Sequence, residues 1–104
     1  MYMKEIKEKS LRIRDLYHRL EELHHGSKWT VEEDALAFLT DAAIVGRLTM
    51  DNQGRWPSNK SDELAYKIGE SIWWLVILAD RMNLDIEKCI ELFLEDKLKK
   101  MDNK

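Results

Sequence analysis

The chain is short of nearly everything that interrupts a helix. Its 104 residues include one proline, Pro57, and four glycines, Gly26, Gly46, Gly54 and Gly69. So few breakers argue against a strand-and-turn architecture. A single cysteine, Cys89, excludes an intrachain disulfide. It lies between apolar positions of a helical pattern, as a buried thiol in a reducing cytosol would, so a cytoplasmic protein is expected. No apolar run is long enough for a bilayer, since the greasiest stretch covers only Ser71 to Ala79. Met1 to Lys9 is charged, unlike a secretory leader, and no membrane partner is expected. Net charge is −3 with both signs interspersed, and the basic tail of Lys97, Lys99 and Lys100 is diluted by Glu95, Asp96 and Asp102. A phosphate-tracking stripe is missing, so nucleic acid is not an expected partner. There is no glycine-rich phosphate loop, no Ser/His/Asp arrangement and no reactive-cysteine context, which leaves nucleophilic catalysis without support.

What is present is helical periodicity in one domain, residues 1–104. The spacing predicts a first helix over Met3 to His24, with Ile6, Ile13, Leu16, Leu20 and Leu23 on its apolar stripe and Gly26-Ser27 as its stop. A second opens at Thr30, where Thr30-Val31-Glu32-Glu33 reads as a capping box, and runs to about Met50. A polar loop from Asp51 to Lys60 carries Trp56. A third begins near Ser61 and runs to Met82; Asn83-Leu84 turn the chain. Asp85 then caps a fourth, Ile86 to about Met101.

Helices two and three are apolar on almost every side. From Ala35 to Val45 only Thr40 and Asp41 are polar, and from Ile68 to Ala79 Glu70 is the only charge. Trp73 and Trp74 are adjacent, about 100° apart around a helix, and cannot share a face. A helix apolar all round is buried all round, and a chain this small has too little else to cover two of them. An oligomer is expected; a wide single core with one exposed tryptophan is the alternative.

Within those greasy stretches Asp41 and Glu70 are isolated acids. A buried carboxylate needs a counter-charge, hydrogen bonds or a metal. Lys67, three residues before Glu70, lies on the same helix face. If helices two and three are antiparallel neighbours, Asp41, Lys67 and Glu70 meet.

The stretch Ile72-Trp73-Trp74-Leu75-Val76-Ile77-Leu78-Ala79-Asp80-Arg81-Met82-Asn83-Leu84-Asp85, together with Phe38-Leu39-Thr40-Asp41-Ala42-Ala43-Ile44-Val45 and the tryptophan-containing loop between them, resembles the all-α nucleoside-triphosphate pyrophosphohydrolases of the MazG and dCTP-pyrophosphatase type. The resemblance covers roughly Trp29 to Met101. It implies a four-helix MazG-like bundle completed by dimerisation, as a homodimer or homotetramer. It also implies cleavage of a nucleoside triphosphate to the monophosphate and pyrophosphate. In that family E-x-x-E on one helix and E-x-x-D on the next converge on Mg²⁺, which neutralises the phosphates and activates a water.

The matching positions here are Asp41 and Ile44, then Lys67 and Glu70; a basic and polar pair on the family's last helix falls at Phe93 and Lys97. The resemblance therefore makes Asp41, Lys67 and Glu70 the candidate catalytic group. Asp41 and Glu70 become the candidate Mg²⁺ ligands, and Trp56 and Lys97 the candidate contacts to base and phosphate. Four carboxylates present −4 to a metal, whereas Asp41, Glu70 and Lys67 together present −1. A unit charge about 4 Å from another contributes on the order of 4 kcal/mol at an effective dielectric near 20. Lys67 thus repels a divalent ion while stabilising both acids, and its ammonium is expected to stand where the ion would be. Two functions stay open: a MazG-like pyrophosphohydrolase with Mg²⁺ and altered or weakened catalysis, or a degenerate relative that binds a nucleotide or another protein.

Other candidates are weaker. Glu32, Glu33 and Asp34, like Asp62 and Glu63, suit a helix N-terminus without any metal. His18, His24 and His25 lack the spacing of a zinc site, and His24 and His25 suit a helix C-terminus. Trp56 either stacks on a base or plugs the bundle's end, and Trp29 and Tyr17 are expected at core edges.

Overall fold

The computed structural model describes residues 1–102. It is all-helical, with no strand among those residues: α1 (Met3–His25), α2 (Val31–Asn52), a short 3₁₀ turn (Ser61–Glu63), α3 (Leu64–Arg81) and α4 (Ile86–Asp102). No described helix is long and apolar enough to cross a membrane.

Each boundary has a local cause. Gly26, at φ 79°, ends α1 and donates its N–H to Glu22 O; a left-handed residue there is cheapest as glycine. The capping box is complete, with Glu33 N–H donating to Thr30 Oγ1 at 3.1 Å and Thr30 N–H to Glu33 Oε1 at 3.0 Å. The third helix differs slightly from expectation, because Ser61–Glu63 is a 3₁₀ turn and α-geometry begins at Leu64. Asn83, at φ 60°, ends α3 in a Schellman arrangement in which Leu84 N–H donates to Ala79 O at 2.7 Å. Asp85 accepts from Glu87 N–H at 3.2 Å, starting α4, and from Lys7 Nζ at 2.8 Å, tying α4 to α1.

α3 is the central helix, packed against α1, α2 and α4. The buried apolar side chains are Trp74, Val76, Ile77, Leu78 and Ala79 of α3 and Leu48 of α2. On α2 the buried positions are Asp34, Asp41 and Leu48, spaced by sevens. Lys67, Trp74 and Arg81 repeat the same interval on α3. Asp34 meets Arg81 and Asp41 meets Trp74, so the two lines face each other antiparallel.

The first helix turns out differently from its pattern. Ile13, Leu16, Leu20 and Leu23 are exposed, and the face turned inward carries buried Ser10 and Arg14. Arg14 is held there by two carboxylates, and Ser10 O accepts from Trp73 Nε1 at 3.1 Å. Polar groups with complete partners win the inward face over an unpartnered apolar stripe. The outer faces of α2 and α3, expected to be covered, are open in a single chain: Leu36, Leu39, Ile68, Ile72 and Leu75 are exposed. Cys89 is half-buried. The radius of gyration is 16.7 Å, with extents of 55 × 39 × 26 Å, against about 13 Å for a compact chain of this length.

Candidate functional site

Antiparallel packing of α2 on α3 brings Asp41, Lys67 and Glu70 together. Lys67 Nζ donates to Asp41 Oδ1 at 3.2 Å and to Glu70 Oε1 at 2.9 Å. The other oxygen of Asp41, Oδ2, accepts from Trp74 Nε1 at 2.8 Å. Asp41 is buried, and the side chains of Lys67 and Glu70 keep about a quarter to a third of their surface, at 25% and 30%. The bond to Glu70 raises the Lys67 pKa above 10.5, burial offsets part of that rise, and the bond to Asp41 adds to it. The ammonium therefore stays charged across the physiological range.

With Lys67 bridging the two acids, these residues do not fit a divalent ion. Magnesium prefers six oxygens in octahedral geometry. Here both Asp41 oxygens are engaged, a cation already sits between the two acids, and no group of three or more metal-ligating side chains gathers among the described residues.

Trp56 and Lys97 lie apart from this group. Trp56 is exposed in the loop, where the Arg47 guanidinium lies 5.2 Å from its ring centre and Arg47 Nη1 donates to its carbonyl at 2.7 Å. Asp51 holds the same loop by accepting from Ser58 Oγ and Lys60 N–H. Lys97 lies on the exposed part of α4. Neither lines the cavity beside Glu70.

That cavity, about 330 Å³ between α1 and α3, is walled by Arg14, Tyr17, Glu21, Glu70, Trp73 and Trp74, among others. Trp73 and Trp74 pack 4.5 Å apart, and Trp29 stacks near-parallel on Trp74 at 6.5 Å. Aromatic walls with a few charged groups at this volume suit a small planar ligand.

A second charged cluster, beyond the reach of the sequence reasoning, lies behind the same tryptophan. Asp34 is fully buried. Its Oδ1 accepts from Arg14 Nη2 and its Oδ2 from Arg81 Nη1, both at 2.8 Å. Arg14 Nη1 also donates to Glu21 Oε2 at 2.8 Å, and Glu21 Oε1 accepts from Trp29 N–H at 2.7 Å. The Arg14 guanidinium lies 5.5 Å from the Trp74 ring centre, so Trp74 touches both clusters. Burial alone would raise the Glu21 carboxyl, but the bonds from Arg14 and Trp29 outweigh it and hold its pKa below 4.5. His18 Nε2 is buried without a hydrogen-bond partner; burial, then Arg14 and Arg81, lower its pKa below 6.5. By sequence alone Asp34 reads as a helix-N-terminal acid. The signal that separates it from Glu32 and Glu33 is its seven-residue offset from Asp41, which puts both on one face of α2.

No family model, curated protein or solved structure matches this chain.

Proposed function

We propose that this chain is a MazG-like helical protein, related by its scaffold to the nucleoside-triphosphate pyrophosphohydrolases, in which the metal-dependent reaction is weakened or lost and binding is retained. One observation carries the proposal: the Lys67 ammonium bridges Asp41 and Glu70 at 3.2 and 2.9 Å, at positions where the resemblance expects acids around Mg²⁺. An ammonium offsets one of the two negative charges at hydrogen-bond range, but it cannot polarise a water as a divalent ion does. The aromatic cavity beside Glu70 supports a retained role in holding a planar base, with Arg14 at its wall. The half-buried lone thiol and the modest negative charge fit a cytoplasmic protein that does not bind nucleic acid. The exposed apolar faces of α1 to α4 support assembly as a homodimer or homotetramer.

The test is pyrophosphate release from a panel of canonical and modified deoxynucleoside triphosphates with Mg²⁺ and Mn²⁺, beside calorimetric titration of each metal. The expected outcome is no carboxylate-dependent metal binding and no release, with nucleotide still protecting the fold against heat. Lys67→Glu, which restores an acid, should raise metal affinity. Release that disappears in Asp41→Asn or Glu70→Gln and that Lys67→Glu does not increase would overturn the proposal.

A second function, active hydrolysis with Mg²⁺ on Asp41 and Glu70, is favoured by the partial exposure of Lys67, whose flexible stem can leave the bridge. The same assay separates the two.

A further inference from the structure

Two surfaces of this chain are apolar and lie apart. One is a groove of about 230 Å³ between α2 and α3, whose walls are Phe38, Ala42 and Val45 on one helix and Ile68, Ile72 and Leu75 on the other. Its one polar lining residue is Ser71, whose hydroxyl already donates to Lys67 O at 2.9 Å. The other is the distal part of α4. Every residue from Ile90 to Asp102 is exposed, yet Ile90, Phe93, Leu94, Leu98 and Met101 repeat at helical spacing and form one continuous stripe. Lys97 interrupts it, and a lysine stem can lie along apolar surface with its ammonium in water.

An amphipathic helix in water draws most of its stability from packing its apolar face. Within one chain α4 has nothing to pack that face against. Its first turn sits over Lys7, Leu11, Val76 and Asp80. Those α3 positions lie about a quarter turn around the helix from Ile68, Ile72 and Leu75. The Schellman turn at Asn83 and the Lys7–Asp85 bridge hold that exit direction. The helix thus leaves the body on the wrong side of α3 to reach its own groove.

The exposed area says how much surface a partner must cover. A compact monomer of 12.4 kDa exposes about 6,100 Å², whereas this chain exposes 8218 Å². The excess is roughly 2,100 Å² per chain, well above the roughly 800 Å² that each partner buries in a standard interface. One patch does not account for that excess; a donated helix and an accepting groove on every chain supply two.

From these observations, and resting on the dimer included in the proposed function, we infer that two copies exchange their C-terminal helices. The Ile90–Met101 stripe of each α4 lies in the α2–α3 groove of the other copy, in helix-in-groove fashion. The interface is isologous and closed, so it ends at a dimer and does not propagate.

The experiment uses the full chain in a Cys89→Ser background, with Phe93→Cys in one copy and Ile72→Cys in a second, differently tagged copy. The two are co-expressed and treated with a short bis-maleimide. Light scattering gives the mass in solution, and circular dichroism confirms the fold. A dimer that cross-links chiefly between position 93 of one copy and position 72 of the other is the expected result. Phe93→Asp should then weaken the dimer roughly thirtyfold, while Lys99→Glu, on the opposite side of α4, leaves it unchanged. A dimer that links 72 to 72 and not 93 to 72 overturns helix exchange and leaves the dimer standing. A monomer at all concentrations overturns both.

Discussion

Seven residues apart on one face of α2, Asp34 and Asp41 meet their cations in different ways. Asp34 is fully enclosed between two guanidinium groups, and with Glu21 the cluster is balanced, two charges against two. Asp41 shares one ammonium with Glu70, leaving an excess negative charge beside a cavity. Arginine suits the first place because its planar fork serves several oxygens at once and it is less costly to desolvate; lysine suits the second as a mobile point charge. A closed, balanced cluster is architecture. An open, unbalanced one keeps its cation partly in solvent beside the cavity, and the proposed binding role draws on that.

Removing the enclosed acid should have the larger consequence. Asp34→Ala takes from Arg14 and Arg81 the carboxylate they share, and breaking a buried pair costs about 3–5 kcal/mol. Urea unfolding should register that loss, and a change under 1 kcal/mol would mean that water reaches the cluster. Glu21 adds an acid limb to the same cluster. Its folded pKa is lowered, so its stabilisation is present above the ordinary carboxyl value and fades as pH falls through the lowered one.

Lys67→Met should cost less, about 1–2 kcal/mol, because Glu70 is partly solvated and the buried Asp41 keeps its bond from Trp74. Its pKa is raised, so its contribution is complete below the ordinary lysine value of 10.5 and is lost as pH rises through the higher folded value. The gap between wild type and variant should hold flat from neutral pH to the ordinary lysine value and close beyond it. It should also narrow in high salt, whereas the Asp34→Ala gap should not. Equal salt sensitivity of the two variants would erase the distinction between open and closed clusters.

A smaller effect belongs to His18. Its folded pKa is lowered, so the unfolded chain takes up a proton first and stability falls as pH drops below 6.5. His18→Phe should flatten that slope in thermal melts between neutral and mildly acidic pH; an unchanged slope would assign it to other groups. Smallest of all is Lys100→Ala, which breaks an exposed pair with Asp96 on α4. Such pairs contribute at most a few tenths of a kcal/mol, and a larger loss would show that this part of α4 is covered in solution.

Helix number, order and ends were readable from local chemistry: a capping box at Thr30, a left-handed glycine at Gly26, an Asn83 turn and an Asp85 cap. The Asp41–Lys67–Glu70 group was readable too, since isolated charges in apolar runs must find one another. The Arg14 cluster was not. Its members lie in stretches already rich in charge, where nothing local marks out the one guanidinium or the one carboxylate that is enclosed. Trp56 and Lys97 were placed by resemblance, and no local rule fixes where a loop tip or a distal helix lies relative to a site.

Short-range rules therefore determined the elements and the pairing of Lys67 with Glu70, because capping and i, i+3 geometry act within a turn or two of chain. Which side of α1 faces inward could not be settled that way. Its apolar stripe points to solvent and its arginine inward, an outcome that depends on Asp34 and Arg81 arriving from two other helices. The direction in which α4 leaves the body is of the same kind, set by the Lys7–Asp85 bridge and the turn at Asn83. Desolvation and hydrogen-bond completion are properties of the assembled neighbourhood, so only the packed molecule reveals them.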